Sequence, residues 1–316
     1  MLKRPGEGIS LLRVAGLDSS IGFSGVVLRV TGAYLAIGLV WFAVWRWTGN
    51  DRWIEEFFKI PGALLLVSLA TIQLWFSLMV LREFSPEQPM RKAWTLIAYS
   101  AGFDLAGAIC IQVLAIHSAL NPLTSMAWWD GSTANSIRHF GVVLGGTCRF
   151  ALLAAGLAWA LRVYRRSRLL ARLTALDWIV LSTVAIYMAL EFHGVVKALR
   201  SGRQFTPAMV LEWPTDPLLL LLLAEALLLY RSVQQMGSGW IGRCWRAFSV
   251  AIFLTVAGDI SIWATSWGYL PWPWSSLGWY IWLPAAAAFA LAPVCQFEAI
   301  HYARSNRGGS SQTQPD

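Results

Sequence analysis

Long apolar runs separated by short polar connections dominate the pattern of the chain. Each run has about the 20 residues that a helix needs to cross the hydrocarbon core of a bilayer. The eight runs lie at 25–47, 61–81, 93–118, 139–163, 175–199, 217–236, 246–268 and 279–302. The pattern predicts an all-α, polytopic integral membrane protein with about eight transmembrane helices in one bundle.

The segments outside these runs are polar. Residues 1–24 are polar to mildly amphipathic, which predicts a cytoplasmic N-terminal segment at or near the membrane interface. Residues 25–303 form the predicted transmembrane domain. Residues 304–316 are rich in Gly and Ser, which predicts a disordered cytoplasmic tail. No secretory signal is visible, because the first apolar run starts late and is too long.

Composition agrees with this class. Hydrophobic residues make up 57% of the 316-residue chain and charged residues 13%, about half of the charged fraction of a soluble domain. The mean hydropathy is +0.54. The chain also has 19 tryptophans, which favour the membrane–water interface because the ring is apolar and its N–H stays hydrated.

The basic residues predict the orientation. Eight crossings put both termini on one side, and that side's segments hold sixteen Lys and Arg against seven on the other. The bias predicts cytoplasmic termini and a location in the plasma (cytoplasmic) membrane. Because the cations cluster between apolar runs, we expect no nucleic-acid partner. The run after the fourth apolar segment is also a candidate for contact with anionic lipid, through Arg162, Arg165, Arg166, Arg168 and Arg172.

Several ionisable residues interrupt the apolar runs. Each is costly inside a membrane, about 2.5–3.5 kcal/mol at a helix centre, so we expect these side chains to be buried together or against water. The candidate binding or coupling residues are Asp104, Arg149, Glu191, His193, Glu225 and Asp259.

Asp104 and Arg149 are predicted to form an ion pair. Each lies ten residues into its run, from opposite sides, which places both about 15 Å deep. Gly141 and Gly145 lie on the helical stripe of Arg149 and would allow close helix approach. The pair either fixes the register of two helices or forms a gate or binding site for a charged ligand.

Three acids, Glu191, Glu225 and Asp259, are predicted to line one cavity that leans towards the outer side. Glu225 stands among leucines and must face the bundle interior. Three acids with few cations nearby are typical of a proton or cation site. The alternative is three protonated acids, each bonded to a neighbouring hydroxyl or carbonyl.

Metal-site and catalytic motifs are absent from the sequence. His117, His139 and His193 lie towards the outer side and His301 towards the inner side, without HxxxH or HExxH spacing. The four cysteines show no CxxC spacing. No nucleotide-binding or nucleophile-elbow motif is present. The sequence identifies no metal, cofactor or catalytic residue, and it favours a non-enzymatic role without excluding an enzyme.

Three functions fit these observations. The first is transport of a small molecule or ion, including ion-coupled carriage, which the intramembrane acids favour. The second is a membrane sensor or complex subunit that binds a ligand from the outer side, where many of the tryptophans lie. The third is a lipid-active intramembrane enzyme. A parallel 4+4 repeat, suggested by the 155 residues between Asp104 and Asp259, remains open.

Overall fold

The computed structural model describes residues 22–48, 61–120, 132–200, 211, 214–235, 240–266 and 275–309, and its regular structure in these ranges is helical. The helices are α1 Phe23–Thr48, α2 Ala63–Glu83, α3 Met90–Leu120, α4, α5 Ala175–Arg200, α6 Thr215–Gln235, α7 Trp240–Ser266 and α8 Ser275–Gly309. Helix α4 consists of Ser132–Val143, a π-helical turn at Leu144–Cys148, and Arg149–Arg166.

Each predicted apolar run falls on one of these helices, with ends that differ by a few residues in most cases. Within the described ranges six helices, α1 to α4, α7 and α8, are long and apolar enough to cross a membrane. Helix α5 has a shorter apolar stretch, Ala175–Leu190. The multi-pass, all-helical class is therefore supported, whereas eight crossings remain a prediction.

The two ends of the chain were predicted to be polar segments. Helix α8 continues to Gly309 and so includes the first residues of the segment predicted as a tail. Residues 1–21 and 310–316 lie outside the described residues. The interfacial N-terminal segment and the disordered tail remain predictions there.

Polar contacts bring alternate connections together at one end of the bundle, here called the basic end. This end holds the start of α1, the α2–α3 and α4–α5 connections, the C-terminal end of α6, the N-terminal end of α7 and the C-terminal part of α8. The contacts are Ser24 to Glu298, Glu83 to His301, Trp159 to Pro89, Trp245 to Tyr164, and Ala171 to Ser232. Successive helices therefore run antiparallel. The start of α1 and the C-terminal part of α8 lie at the same end of the bundle.

Aromatic side chains form the centre of the main core. Trp94, Trp245, Phe248 and Phe289 are fully buried, and their rings contact one another from α3 through α7 to α8. Helix α1 packs against α8, next to a smaller apolar cluster. This packing fixes α3, α4 and α8 around the polar pair described below.

Candidate functional site

An ion pair links α3 and α4 near their midpoints. Nη1 of Arg149 lies 2.7 Å from Oδ1 of Asp104, and the two side chains are only 11% and 15% exposed. The pair predicted from matched depth is thereby confirmed. Because both charges are withdrawn from water, each depends on the other for its stability.

Glycines bring the two helix backbones together beside this pair. A Cβ atom on Gly107 would lie 2.5 Å from the backbone nitrogen of Gly145 and 2.7 Å from the carbonyl oxygen of Gly141. Only glycine fits at Gly107 without a backbone shift. The predicted close approach at Gly141 and Gly145 is confirmed, and it brings the short Asp104 side chain within reach of α4.

A π-helical turn, Leu144–Cys148, immediately precedes Arg149. The hydroxyl of Thr147, in this turn, donates to the carbonyl oxygen of Leu211 at 2.7 Å and lies 3.0 Å from the hydroxyl of Thr215 at the start of α6. Such turns are often found at functional sites. The apolar pattern of the sequence does not predict this turn.

The guanidinium of Arg149 is only partly satisfied. Its Cζ atom lies 4.1 Å from the centre of the Phe289 ring and 5.2 Å from that of Phe150. Among the described residues its buried Nε and Nη2 atoms have no hydrogen-bond partner. An unsatisfied buried donor costs about 1–3 kcal/mol, and more when it is charged, so the geometry favours binding of an additional acceptor here.

A second ion pair, which sequence reasoning missed, has a different geometry. At the basic end, Arg231 donates to both oxygens of Asp177, from Nη2 at 2.9 Å and Nε at 3.0 Å. Thr174 also donates to the same carboxylate. In the sequence, Arg231 counts only among the sixteen basic residues that predict the orientation. This pair links α5 to α6 through two hydrogen bonds. Arg231 uses Nε and Nη2, the same two atoms that have no partner in Arg149 among the described residues.

The predicted three-acid cavity is only partly described. Glu225 is 7% exposed, which confirms that it faces the interior. Its Oε2 atom has no hydrogen-bond partner among the described residues. Asp259 is half-buried and accepts a hydrogen bond from Nε1 of Trp282 on α8 at 3.1 Å. The side chain of Glu191 lies outside the described residues, so the shared cavity remains a prediction.

The histidines do not form a metal site in the described part of the chain. His193 is exposed on α5. His301 lies at the basic end, where its Nε2 is 3.7 Å from Oε1 of Glu83. The side chain of His117 is outside the described residues. Within the described ranges no group of three or more His, Cys, Asp or Glu side chains is placed to hold a metal ion.

The site therefore consists of a charged pair, a glycine contact, a π-helical turn and an aromatic ring that stacks on the guanidinium. Ser100, one turn before Asp104, closes it by donating to the carbonyl oxygen of Arg149 at 2.9 Å. No protein-family model, curated protein or solved structure matches this chain, so its function has to be argued from this geometry.

Proposed function

We propose that the chain crosses the plasma membrane eight times, with the basic end facing the cytoplasm, and carries a small molecule or ion. The transported species binds at the Asp104–Arg149 pair, and a coupling ion, such as a proton, acts on the same pair. The coupling candidates are Glu225, which is buried, and Asp104 and Arg149, whose side chains are at most 15% exposed.

The observation that carries this proposal is the open edge of the Arg149 guanidinium. A pair that only fixes helix register is best served by the two-bond geometry of Asp177 and Arg231, which satisfies more donors. Arg149 instead gives one close contact to Asp104, and its Nε and Nη2 atoms find no hydrogen-bond partner within the described ranges. Two parallel N–H groups suit a carboxylate, phosphate or carbonyl group of a solute.

Ion coupling follows from the chemistry of the pair. A proton taken up by Asp104 removes the charge that holds Arg149, which frees the guanidinium for an anionic acceptor. The π-helical turn at Leu144–Cys148 supplies a local register change that would let Arg149 move. Binding and movement would then be linked at one point of α4.

The end of α4 and the α4–α5 connection support the membrane part of the proposal. They carry five exposed arginines, Arg162, Arg165 and Arg166 on α4 and Arg168 and Arg172 in the connection. We propose that they contact anionic headgroups of the cytoplasmic leaflet. Impermeant thiol labelling of Ser310→Cys and Ser275→Cys tests the orientation, because Ser310→Cys should be protected from outside and Ser275→Cys should react or lie in the interface.

The functional test uses the full chain in proteoliposomes that contain a pH-sensitive dye. Small carboxylates, phosphates and ammonium compounds are added one at a time, and thermal stabilisation and proton movement are recorded. At least one compound should raise the unfolding temperature and drive proton movement. Both effects should disappear in Arg149→Gln and persist in Arg231→Gln, after correction for the amount of folded protein.

The same assay separates the other two functions. Stabilisation without movement of solute or protons would favour the ligand sensor. Chemical conversion of the compound or of the lipid, detected by mass spectrometry, would favour the intramembrane enzyme. If no compound stabilises the wild-type chain or moves protons, the proposed carrier function is contradicted.

A further inference from the structure

An apolar groove lies on the lateral surface of the helix bundle, between α2 and α3. It encloses about 460 Å³, and its lining includes Leu78 and Leu81 of α2 and Thr95, Tyr99, Gly102 and Ala106 of α3. Leu78, Tyr99 and Phe103 are exposed large side chains. A Cβ atom on Gly102 would meet no atom within 4 Å, so this glycine leaves the groove open.

The length of the groove matches one leaflet. Along α3 the lining runs from Thr95 to Ala106, about 16 Å at the helical rise per residue. The hydrocarbon core of a bilayer is about 30 Å thick, so the groove covers roughly half of it. Its end at Thr95 and Leu81 adjoins the α2–α3 connection, at the basic end of the bundle.

Cations stand at that end of the groove. Arg82 lies four residues after Leu78 on α2, and Lys92 lies three residues before Thr95 on α3, so helical spacing puts both beside the lining. Both are exposed. Lys92 also lies 5.0 Å from the centre of the Trp159 ring. From residue 82 to residue 92 three cations, Arg82, Arg91 and Lys92, stand against two acids, the exposed Glu87 and Glu83, and Glu83 lies 3.7 Å from Nε2 of His301, so positive charge is in excess at this mouth.

We propose that the groove binds one acyl chain of an anionic phospholipid and that Arg82 and Lys92 hold its headgroup. The apolar lining buries the chain over the depth of one leaflet, while the cations attract the phosphate and the net negative charge of the lipid. This site is separate from the Asp104–Arg149 pair and from the five arginines at the end of α4 and in the α4–α5 connection. It requires that the bundle lies in a membrane but does not depend on the proposed transport.

Native mass spectrometry of the full-length chain tests the site, with phosphatidylglycerol and phosphatidylcholine as probes in matched mixed micelles. We expect one phosphatidylglycerol to be retained in preference to phosphatidylcholine. Gly102→Leu should weaken its retention about tenfold, which corresponds to roughly two buried methylene groups. The double variant Arg82→Gln with Lys92→Gln should remove the preference for the anionic lipid.

Two matched controls are available. Gly32→Leu adds the same side chain at another open helical glycine, on α1, and should leave retention unchanged. Arg165→Gln with Arg166→Gln removes two exposed charges from the last turn of α4 and should also leave retention unchanged. Unfolding temperatures in micelles without phosphatidylglycerol should agree among the variants. If the unfolding temperature of a variant differs from that of the wild type, Gly102→Ile or Lys92→Met replaces that variant.

Three outcomes overturn the proposal. Equal retention of both lipids removes the headgroup assignment, and unchanged retention in Gly102→Leu removes the groove. A dimer of the wild-type chain that Gly102→Leu dissociates would show that a second copy occupies the groove instead. Loss of lipid with intact proton movement in the transport assay would support this site alone, so the two proposals fail independently.

Discussion

Breaking the Asp104–Arg149 pair from either side should destabilise the bundle unequally. Asp104→Asn leaves a buried guanidinium with no counter-charge, and arginine cannot lose its proton in a protein. We expect a loss of about 3–5 kcal/mol in the free energy of unfolding, as for other buried pairs that lose one member. The stacked Phe289 ring 4.1 Å away offsets only part of this loss.

Arg149→Gln should cost less than Asp104→Asn. The remaining carboxyl can take up a proton and become neutral, so the loss should fall near or below about 3 kcal/mol. The double variant Asp104→Asn with Arg149→Gln should recover about 1–3 kcal/mol relative to the sum of the single losses. Equilibrium unfolding in mixed SDS–detergent micelles, followed by circular dichroism, measures all four proteins.

Glu87→Gln is the control, because Glu87 is exposed in the α2–α3 connection and should change the free energy of unfolding by less than about 0.5 kcal/mol. Strict additivity of the two single variants would refute the reasoning, since it would mean that the two charges do not interact. Single losses no larger than that of Glu87→Gln would refute it as well, because the charges would then be solvated.

Three further predictions concern neighbouring contacts. Gly107→Ala should lower the free energy of unfolding by about 1–3 kcal/mol, because its Cβ would meet the α4 backbone, whereas Gly32→Ala on open surface should be neutral or slightly stabilising in the same assay. Trp282→Phe should lower the free energy of unfolding by about 1–2 kcal/mol, because it removes the hydrogen-bond donor to Asp259. An unchanged free energy of unfolding would mean that another donor replaces this bond. Glu225→Leu should raise the unfolding temperature, because the buried Oε2 has no hydrogen-bond partner in the part of the chain that the structure describes. If the variant also abolishes proton movement, the acid is retained for function, whereas a drop in stability would contradict its described setting.

The ion pair was predictable because insertion cost and depth are simple functions of sequence. Charges in apolar runs must be satisfied, and counting residues from each end put Asp104 and Arg149 at one level. The glycines at Gly141 and Gly145 were predictable on the same stripe. Their partner on α3, Gly107, was not identified, because contact between two particular glycines depends on the rotation of both helices.

Other features depend on three-dimensional packing that periodicity does not encode. The π-helical turn at Leu144–Cys148 has no signature beyond two adjacent glycines and a threonine, and its anchor, Thr215, is distant in sequence. Phe289 is one of 15 phenylalanines in an apolar chain, so the local sequence does not show that its ring stacks on the guanidinium of Arg149. Asp177 lies at the start of a run and Arg231 near the end of another, where charges are expected for topology alone.

The central claim is that the Asp104–Arg149 pair forms a binding site that opens to water. The most direct test is whether a water-soluble reagent reaches position 100. Ser100 is fully buried and donates to the backbone of Arg149, so a cysteine there can react only if the site opens. Ser100→Cys is placed in a chain whose four native cysteines, Cys110, Cys148, Cys244 and Cys295, are replaced by alanine. The labelling rate with a small impermeant thiosulfonate is measured from each side of sealed vesicles, with unfolding temperature as the folding control. The carrier predicts labelling from both sides, slowed by the compound that binds, whereas a folded protein that is never labelled from either side would show that Asp104 and Arg149 form a sealed structural lock.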